Sequence, residues 1–358
     1  MAQKSKQWAA IIMMIALFAM IAFVTNLCSP MATIVKNQFG ASELAGQIGN
    51  YANFIAYLVM GIPSGMLIAK LGYKKTALLA LIVGIVGIVF EYLSGVVGSY
   101  VIYLVGAFIS GLCMCMLNTV VNPLLNVLGG GGKTGNQLIQ IGGAANSAAA
   151  VAVYILMGAL IGEVTKSTGI SDATPALIIA GVIFVIAFVI LPFTKIEEPE
   201  QAKVELSLIT GALKFRQLSL GALAIFLYMS VEVGTPTYMI SYLQTPEVGL
   251  SAGVAGLIAS VYWLMMFVGR SIGGSIGGKV SSRAMGSSVA TAAIALLLFG
   301  IFAPETMKVT VIGIDWGNLE VIYPQVPVCV LAFILVGLCT SVMWGGIFNL
   351  AVEGLGKY

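Results

Sequence analysis

Gly65-Met-Leu-Ile-Ala-Lys70-Leu-Gly-Tyr-Lys74 returns 209 residues later as Gly274-Ser-Ile-Gly-Gly-Lys279-Val-Ser-Ser-Arg283, each time where an apolar stretch runs into a basic loop. A second landmark, Gly111-Leu-Cys113, returns as Gly337-Leu-Cys339 at an offset of 226. Two halves that carry the same landmarks in the same order are what a helical membrane protein built from parallel repeats shows. The offset grows by 17 residues between the landmarks, so an insertion lies between Arg283 and Gly337, and Pro304 to Tyr323 supplies it. There Val309-Thr-Val-Ile-Gly313 and Leu319-Glu-Val-Ile-Tyr323 flank Asp315-Trp-Gly-Asn318 and read as a β-hairpin on the outer face.

The composition agrees with that architecture. With 59% hydrophobic and 9% charged residues the chain cannot be wrapped around one soluble core. A helix needs about 20 apolar residues to cross the hydrocarbon, and ten segments qualify. They are Ala9 to Val35, Ile48 to Ile68, Thr76 to Leu93, Tyr100 to Leu125, Leu138 to Ile161, Pro175 to Phe193, Leu218 to Leu243, Gly253 to Ile276, Met285 to Ala303 and Val326 to Leu350. None alternates apolar and polar as barrel strands do, so the fold class is an all-α membrane protein. Numbering the loops alternately puts 13 of the 17 Lys and Arg on one side. Lys36, Lys166 and Lys308 fall on the other and Arg270 lies within a segment. That asymmetry places the N-terminus and the basic loops in the cytoplasm. The net charge of +3 follows from it and gives no reason to expect a nucleic-acid partner. The first apolar stretch is too long for a signal-peptide core and is read as a retained helix.

Residues 194–217, with Glu197, Glu198, Glu200 and Glu205, form the one long cytoplasmic connection. The expected domains are therefore 1–193, a six-helix bundle; 194–217, a linker; and 218–358, a bundle with four helices and the outer hairpin near 304–323. At the 226 offset Tyr358 falls on Gly132, so counterparts of the helices in 138–193 do not follow. The reading is a twelve-helix protein lacking its last two helices, with a ten-helix chain as the alternative.

Over essentially its whole length the chain resembles the major facilitator superfamily, in its fucose permease and glucose/galactose permease branch. The resemblance rests on the loop Gly65 to Lys75, on Asn118-Thr-Val-Val-Asn122-Pro123 followed by Val127-Leu-Gly129, and on Asn146-Ser147. It rests also on Val231-Glu-Val233, Tyr262-Trp263, Gly269-Arg270 and the closing Gly354-Leu-Gly-Lys-Tyr358. It implies two pseudo-symmetric six-helix bundles and secondary active transport. It also implies an acid just before the first basic residue of the helix-two loop, where this chain has Ala69. In proton-coupled fucose permeases acids align with Ser29 and Asn118, and a pocket Gln aligns with Gly143. Coupling through those two acids is absent here.

Transport needs polar groups facing a cavity, because a polar group facing lipid stays unsatisfied. The substrate-binding candidates are Asn26, Ser29, Asn118, Asn122, Gln140 and Asn146 in the first half, and Tyr262, Trp263, Trp344 and Asn349 in the second. Neutral amides both donate and accept, which suits a polyhydroxylated ligand, and aromatic rings suit the apolar faces of a pyranose. The competing role for each Asn is a helix-to-helix hydrogen bond, worth ~0.6 kcal/mol on average. With no His in the chain, ion coupling falls to a carboxylate. Glu232 in helix seven is the candidate, with a structural pair to Arg270 as its alternative role, while Glu91 is read as interfacial.

Gly65 and Gly61 are read as sites of close helix approach, Lys70 and Lys74 as loop anchors able to bond helix C-termini, and Gly269 with Gly273 and Gly277 as a packing stripe beside Arg270. Gly129 to Thr134 imitates the end of a phosphate loop, but Val127 stands where that loop needs Gly and no strand precedes it. The cysteines lack zinc-ligand spacing. No metal, no cofactor and no enzymatic activity are expected. The reading is a transporter in the bacterial inner membrane that imports a small neutral sugar by alternating access, coupled to H+ or Na+. The partners are the sugar, the ion and the lipid bilayer. A carrier of another polar solute such as an amino acid or nucleoside, and a non-transporting sensor or scaffold, are the alternatives.

Overall fold

The computed structural model describes residues 7–130, 132–162, 164–198, 211–212, 214–276 and 280–352. It divides into two compact units, Met1–Ala202 and Lys203–Tyr358. Most of the expected linker, and the closing Gly354 to Tyr358, lie outside the described residues.

The first unit holds α1 (Trp8–Phe39), α2 (Glu43–Leu71), α3 (Tyr73–Val97), α4 (Tyr100–Leu128), α5 (Gly132–Ile161) and α6 (Thr174–Ile190). Short 3-10 turns, Ile170–Ala173 and Leu191–Phe193, flank α6. The boundaries follow from capping chemistry. The Ser42 hydroxyl accepts the Ala45 N–H at 3.2 Å to start α2, and Ser99 does the same for Ile102 at the start of α4. Gly40, at φ 58°, takes the left-handed conformation that closes α1. The α5–α6 connection is tied to the end of α1, where Gln38 Oε1 accepts the Ile170 N–H at 2.7 Å and Asn37 Nδ2 donates to the Thr165 carbonyl at 3.0 Å.

Helix packing in this unit runs through glycines that admit a neighbour. A Cβ at Gly84 would meet Phe184 and the Cys113 sulfur, one at Gly87 the Ser110 hydroxyl, and one at Gly111 the Asn53 backbone and Ala56. These positions let α3 and α2 close on α4, as small residues do where lipid supplies no hydrophobic drive. Gly61 and Gly65 of α2 are different, because a Cβ at either meets nothing within 4 Å. Among the described residues the close approaches of α2 fall elsewhere: at Gly46 against Lys36 of α1, at Gly49 against Tyr103 of α4, and at Gly111 of α4 against Asn53 and Ala56.

The second unit holds α7 (Arg216–Leu243), α8 (Ala252–Ile276), α9 (Ser282–Phe302), α10 (Cys329–Thr340) and α11 (Met343–Val352). The expected single helix from Val326 to Leu350 is broken in two. Thr340 Oγ1 donates back to the Val336 and Gly337 carbonyls, each at 3.2 Å, and Ser341 Oγ to the Leu338 carbonyl at 2.6 Å. Hydroxyls that bond back to their own helix loosen and bend it, and here two in succession end α10. Gly269 and Gly273 of α8 face this break: added Cβ atoms would meet Ser341 and Val342. Gly277 lies outside the described residues.

Between α9 and α10 the inserted segment forms one antiparallel hairpin in two ladders, β1 (Lys308–Thr310) with β4 (Gln325–Pro327) and β2 (Gly313–Asp315) with β3 (Glu320–Ile322). Both ladders keep the same register. The gap between them contains Pro324, which has no N–H to give, although its carbonyl accepts from Val311 at 3.0 Å. At the tip the Asp315 carboxylate accepts the Gly317 N–H and the Asn318 side chain, each at 2.9 Å. These bonds hold its carboxyl below the usual range. Trp316 is buried against Gly253 at the start of α8.

Gly111→Leu is expected to lower stability by about 1–3 kcal/mol through overpacking, read as a reduced Tm in detergent. Gly61→Leu, with open space at its Cβ, leaves Tm unchanged in the same assay.

Candidate functional site

In the first unit the polar side chains gather where α1, α2 and α4 meet. Asn118 Nδ2 donates to the Tyr57 hydroxyl at 2.9 Å, and Asn122 Nδ2 donates to the Asn118 carbonyl at 3.1 Å. The Asn122 side-chain carbonyl is buried without a donor among the described residues. The Thr25 hydroxyl turns toward Tyr57 without closing a well-formed hydrogen bond. The group thus offers a buried acceptor and a hydroxyl with unused capacity, and no net charge. That chemistry suits a neutral ligand rich in hydroxyls.

The remaining candidates of this unit stand apart. Asn26 donates to the Ala22 carbonyl of its own helix at 2.9 Å. Asn146 Nδ2 donates to the Phe18 carbonyl at 2.9 Å, tying α5 to α1. Ser29 and Gln140 are half-buried.

In the second unit Arg270 Nη2 of α8 meets Glu232 Oε1 of α7 at 3.5 Å, both side chains being only about a tenth exposed, 12% and 10%. The Tyr228 hydroxyl, one turn before Glu232, interacts with the carboxylate but lacks strict hydrogen-bond geometry. Trp263 lies seven residues before Arg270, on the same helix face, and its buried indole N–H has no acceptor among the described residues. Its ring meets Tyr262 edge-on at 5.4 Å. The Tyr262 hydroxyl is occupied by Thr340 Oγ1 at 2.9 Å, which ties α8 to α10. Trp344 stacks in parallel on Phe348, one turn along α11, at 5.3 Å. The Asn349 side chain lies outside the description.

The basic loop after α2 is organised from an unexpected direction. Glu198, at the start of the segment after α6, places its carboxylate on the first amides of α3, accepting from Tyr73 N at 2.8 Å and Lys74 N at 3.0 Å. These amides have no intrahelical partner, and a carboxylate there is favoured by the helix dipole. Lys74 Nζ in turn donates to the carbonyls of Pro192 and Thr194 at 2.7 and 2.8 Å. Lys70 is exposed. The acid missing at Ala69 is thus not simply lost, because an acid contact to this loop comes from the start of the inter-unit segment.

Four residues of these groups escaped the sequence reading. Tyr57 had a visible signal, since Asn50, Asn53 and Tyr57 recur at three- and four-residue spacing on α2. Thr25, Tyr228 and Glu198 had none, being ordinary residues until the fold supplies their neighbours. Glu91 is a correction. It is 5% exposed and packed between α3 and α4, so its carboxyl is enclosed by protein and not open to water. Gly106 clears the space it fills.

Nine of the described helices are long and apolar enough to cross a bilayer. With polar side chains tied off inside each unit, they define a multi-pass helical membrane protein. The model of the Major Facilitator Superfamily matches residues 13–358, and the chain belongs to that superfamily, one of transporters and not enzymes. It is 25% identical over 350 residues to a glucose/galactose transporter of Brucella abortus biovar 1 (strain 9-941), a match covering 96% of this chain and 79% of the relative. An L-fucose-proton symporter of Escherichia coli (strain K12) is 21% identical over 337 residues, covering 87% of this chain and 77% of that one. The structure of FucP, a major facilitator transporter in the outward conformation, matches with a TM-score of 0.75 at 20% identity, over 99% of this chain and 86% of that one. The nucleoside transporter NupG matches at 0.61 with 13% identity, over 99% and 89%. These structural likenesses establish the shared fold.

Glu232→Gln leaves the Arg270 charge without its carboxylate and is expected to cost about 3–5 kcal/mol, measured as a fall in Tm. Adding Arg270→Gln recovers most of the loss. Glu198→Ala is expected to cost about 1 kcal/mol, the scale of a lost helix cap, and to accelerate amide hydrogen exchange at Tyr73 and Lys74 while the amides of α4 stay protected.

Proposed function

We propose that this protein is a secondary active transporter that imports a small neutral sugar, a hexose or deoxyhexose, by alternating access and in symport with H+ or Na+. The observation that carries the reading is the uncharged Thr25, Tyr57, Asn118 and Asn122 group, which keeps unused hydrogen-bonding capacity buried within an apolar bundle. Such capacity is costly to keep unless a ligand completes it. The names of the Brucella and Escherichia coli relatives, glucose/galactose transporter and L-fucose-proton symporter, support a sugar of this class, and the second supports the proton as coupling ion. On this reading Asn118 and Asn122 bind sugar hydroxyls and Trp263 offers a ring and an N–H. Glu232, released from Arg270 when it takes up a cation, couples the ion. The distribution of Lys and Arg supports a cytoplasmic N-terminus in a bacterial inner membrane.

The test is exchange and gradient-driven uptake of labelled hexoses in proteoliposomes. Saturable exchange is expected, with accumulation under one imposed gradient that names the ion. Asn122→Ala raises the half-saturation concentration and Glu232→Gln abolishes accumulation. Absence of hexose exchange by folded protein removes the sugar assignment, and a screen of amino acids and nucleosides then decides between another solute and a protein that moves none.

A further inference from the structure

Glu91 is a carboxylic acid inside the bilayer that the proposed mechanism leaves unused. It lies six residues before the end of α3, about 9 Å along the helix from Val97, at the end opposite the Lys74–Lys75 loop. Its environment is closed. The carboxyl Oε1 accepts the Ser110 hydroxyl at 2.8 Å, and a Cβ at Gly106 would stand 2.8 Å from its Cγ. The backbone beneath is held by Ser94, whose hydroxyl donates to the Glu91 carbonyl at 2.6 Å.

Among the described residues no cation pairs with it. Among the described residues the one ion pair of the second unit is Glu232 with Arg270, whereas the titratable groups within electrostatic range of Glu91 are the Cys28 thiol of α1 and the Tyr103 phenol of α4, neither of them a cation. Among the described residues, α2, α6 and the 3-10 turns present no titratable group to it. Asp172, on the adjoining turn, is exposed and accepts the Gly169 N–H at 2.8 Å.

A carboxylate with one hydroxyl donor and no cation is strongly disfavoured in hydrocarbon, while a carboxylic acid in the same place is neutral and can donate as well as accept. We propose that Glu91 is a proton-binding site of the first unit, occupied as the neutral acid when α3 and α4 are closed and discharged to water when their contact loosens. The chemistry is a simple exchange, in which the acid gives its proton to water and regains one on reclosure. Gly87 lies against Ser110 and Gly106 against Glu91, so the acid sits on the seam where the two helices pack. The coupling role rests on the transport reading above; the proton occupancy does not.

The experiment labels the intact protein in proteoliposomes with dicyclohexylcarbodiimide, which attacks protonated carboxyls in apolar surroundings, and locates the adduct by peptide mass mapping. An adduct on Glu91, and none on the paired Glu232, is expected. Glu91→Gln is expected to keep hexose exchange and lose accumulation driven by a proton gradient. No adduct on Glu91 overturns the proposal, and full proton-driven accumulation by Glu91→Gln overturns its coupling role. Should that variant fail to fold, the labelling of the unaltered protein decides. An adduct on Glu91 in a protein that exchanges no hexose upholds the proton site and removes the sugar reading instead.

Discussion

Hydrocarbon offers no hydrogen bonds, and each polar atom placed in it must find its partner within the chain. That constraint accounts for the way the helices of this protein are joined. Backbone groups are satisfied inside the helices, so contacts between helices fall to two devices. One is glycine, which brings backbones together at Gly84, Gly87, Gly106 and Gly111 in the first unit and at Gly269, Gly273 and Gly337 in the second. The other is the isolated side-chain bond that crosses between helices: Asn146 to Phe18, Asn118 to Tyr57, Tyr262 to Thr340. The polar atoms that remain without partners stand out against this background, and they define the candidate sites.

The two units solve the placement of acids differently. In the second, Glu232 is neutralised by Arg270 across α7 and α8. In the first, Glu91 has a hydroxyl and, among the described residues, no cation, which is the ground for assigning it a proton. The same residue type therefore stands as half of an ion pair in one unit and as a neutral acid in the other, and this difference arises from what the facing helix carries, Arg270 against Ser110.

The features that depend on local composition were legible in the sequence. Apolar runs announced the helices, and the hairpin was announced by its alternating strands around Asp315 to Asn318. What escaped depends on distant neighbours. The break after Thr340 lies in an apolar run with no Pro to mark it, and it follows from hydroxyls bonding back to their own helix. Glu91 looked interfacial because it lies near the end of its apolar segment, and its burial depends on Gly106 of another helix. Glu198 meets the amide of Tyr73 across 125 residues of chain, a distance over which no spacing rule operates. Asn118 and Asn122 were found as isolated amides, but their grouping required Tyr57 from α2.

Trp316 ties the hairpin to the start of α8, where Gly253 leaves room for its ring. The hairpin is thus joined to the membrane portion at three places: the end of α9, the start of α10, and through the indole to α8. A tilt of α8 would be carried through that ring into the hairpin. Of the four tryptophans in the chain, this one would serve as an internal optical gauge, its emission reporting from the hairpin on the helix that carries Arg270.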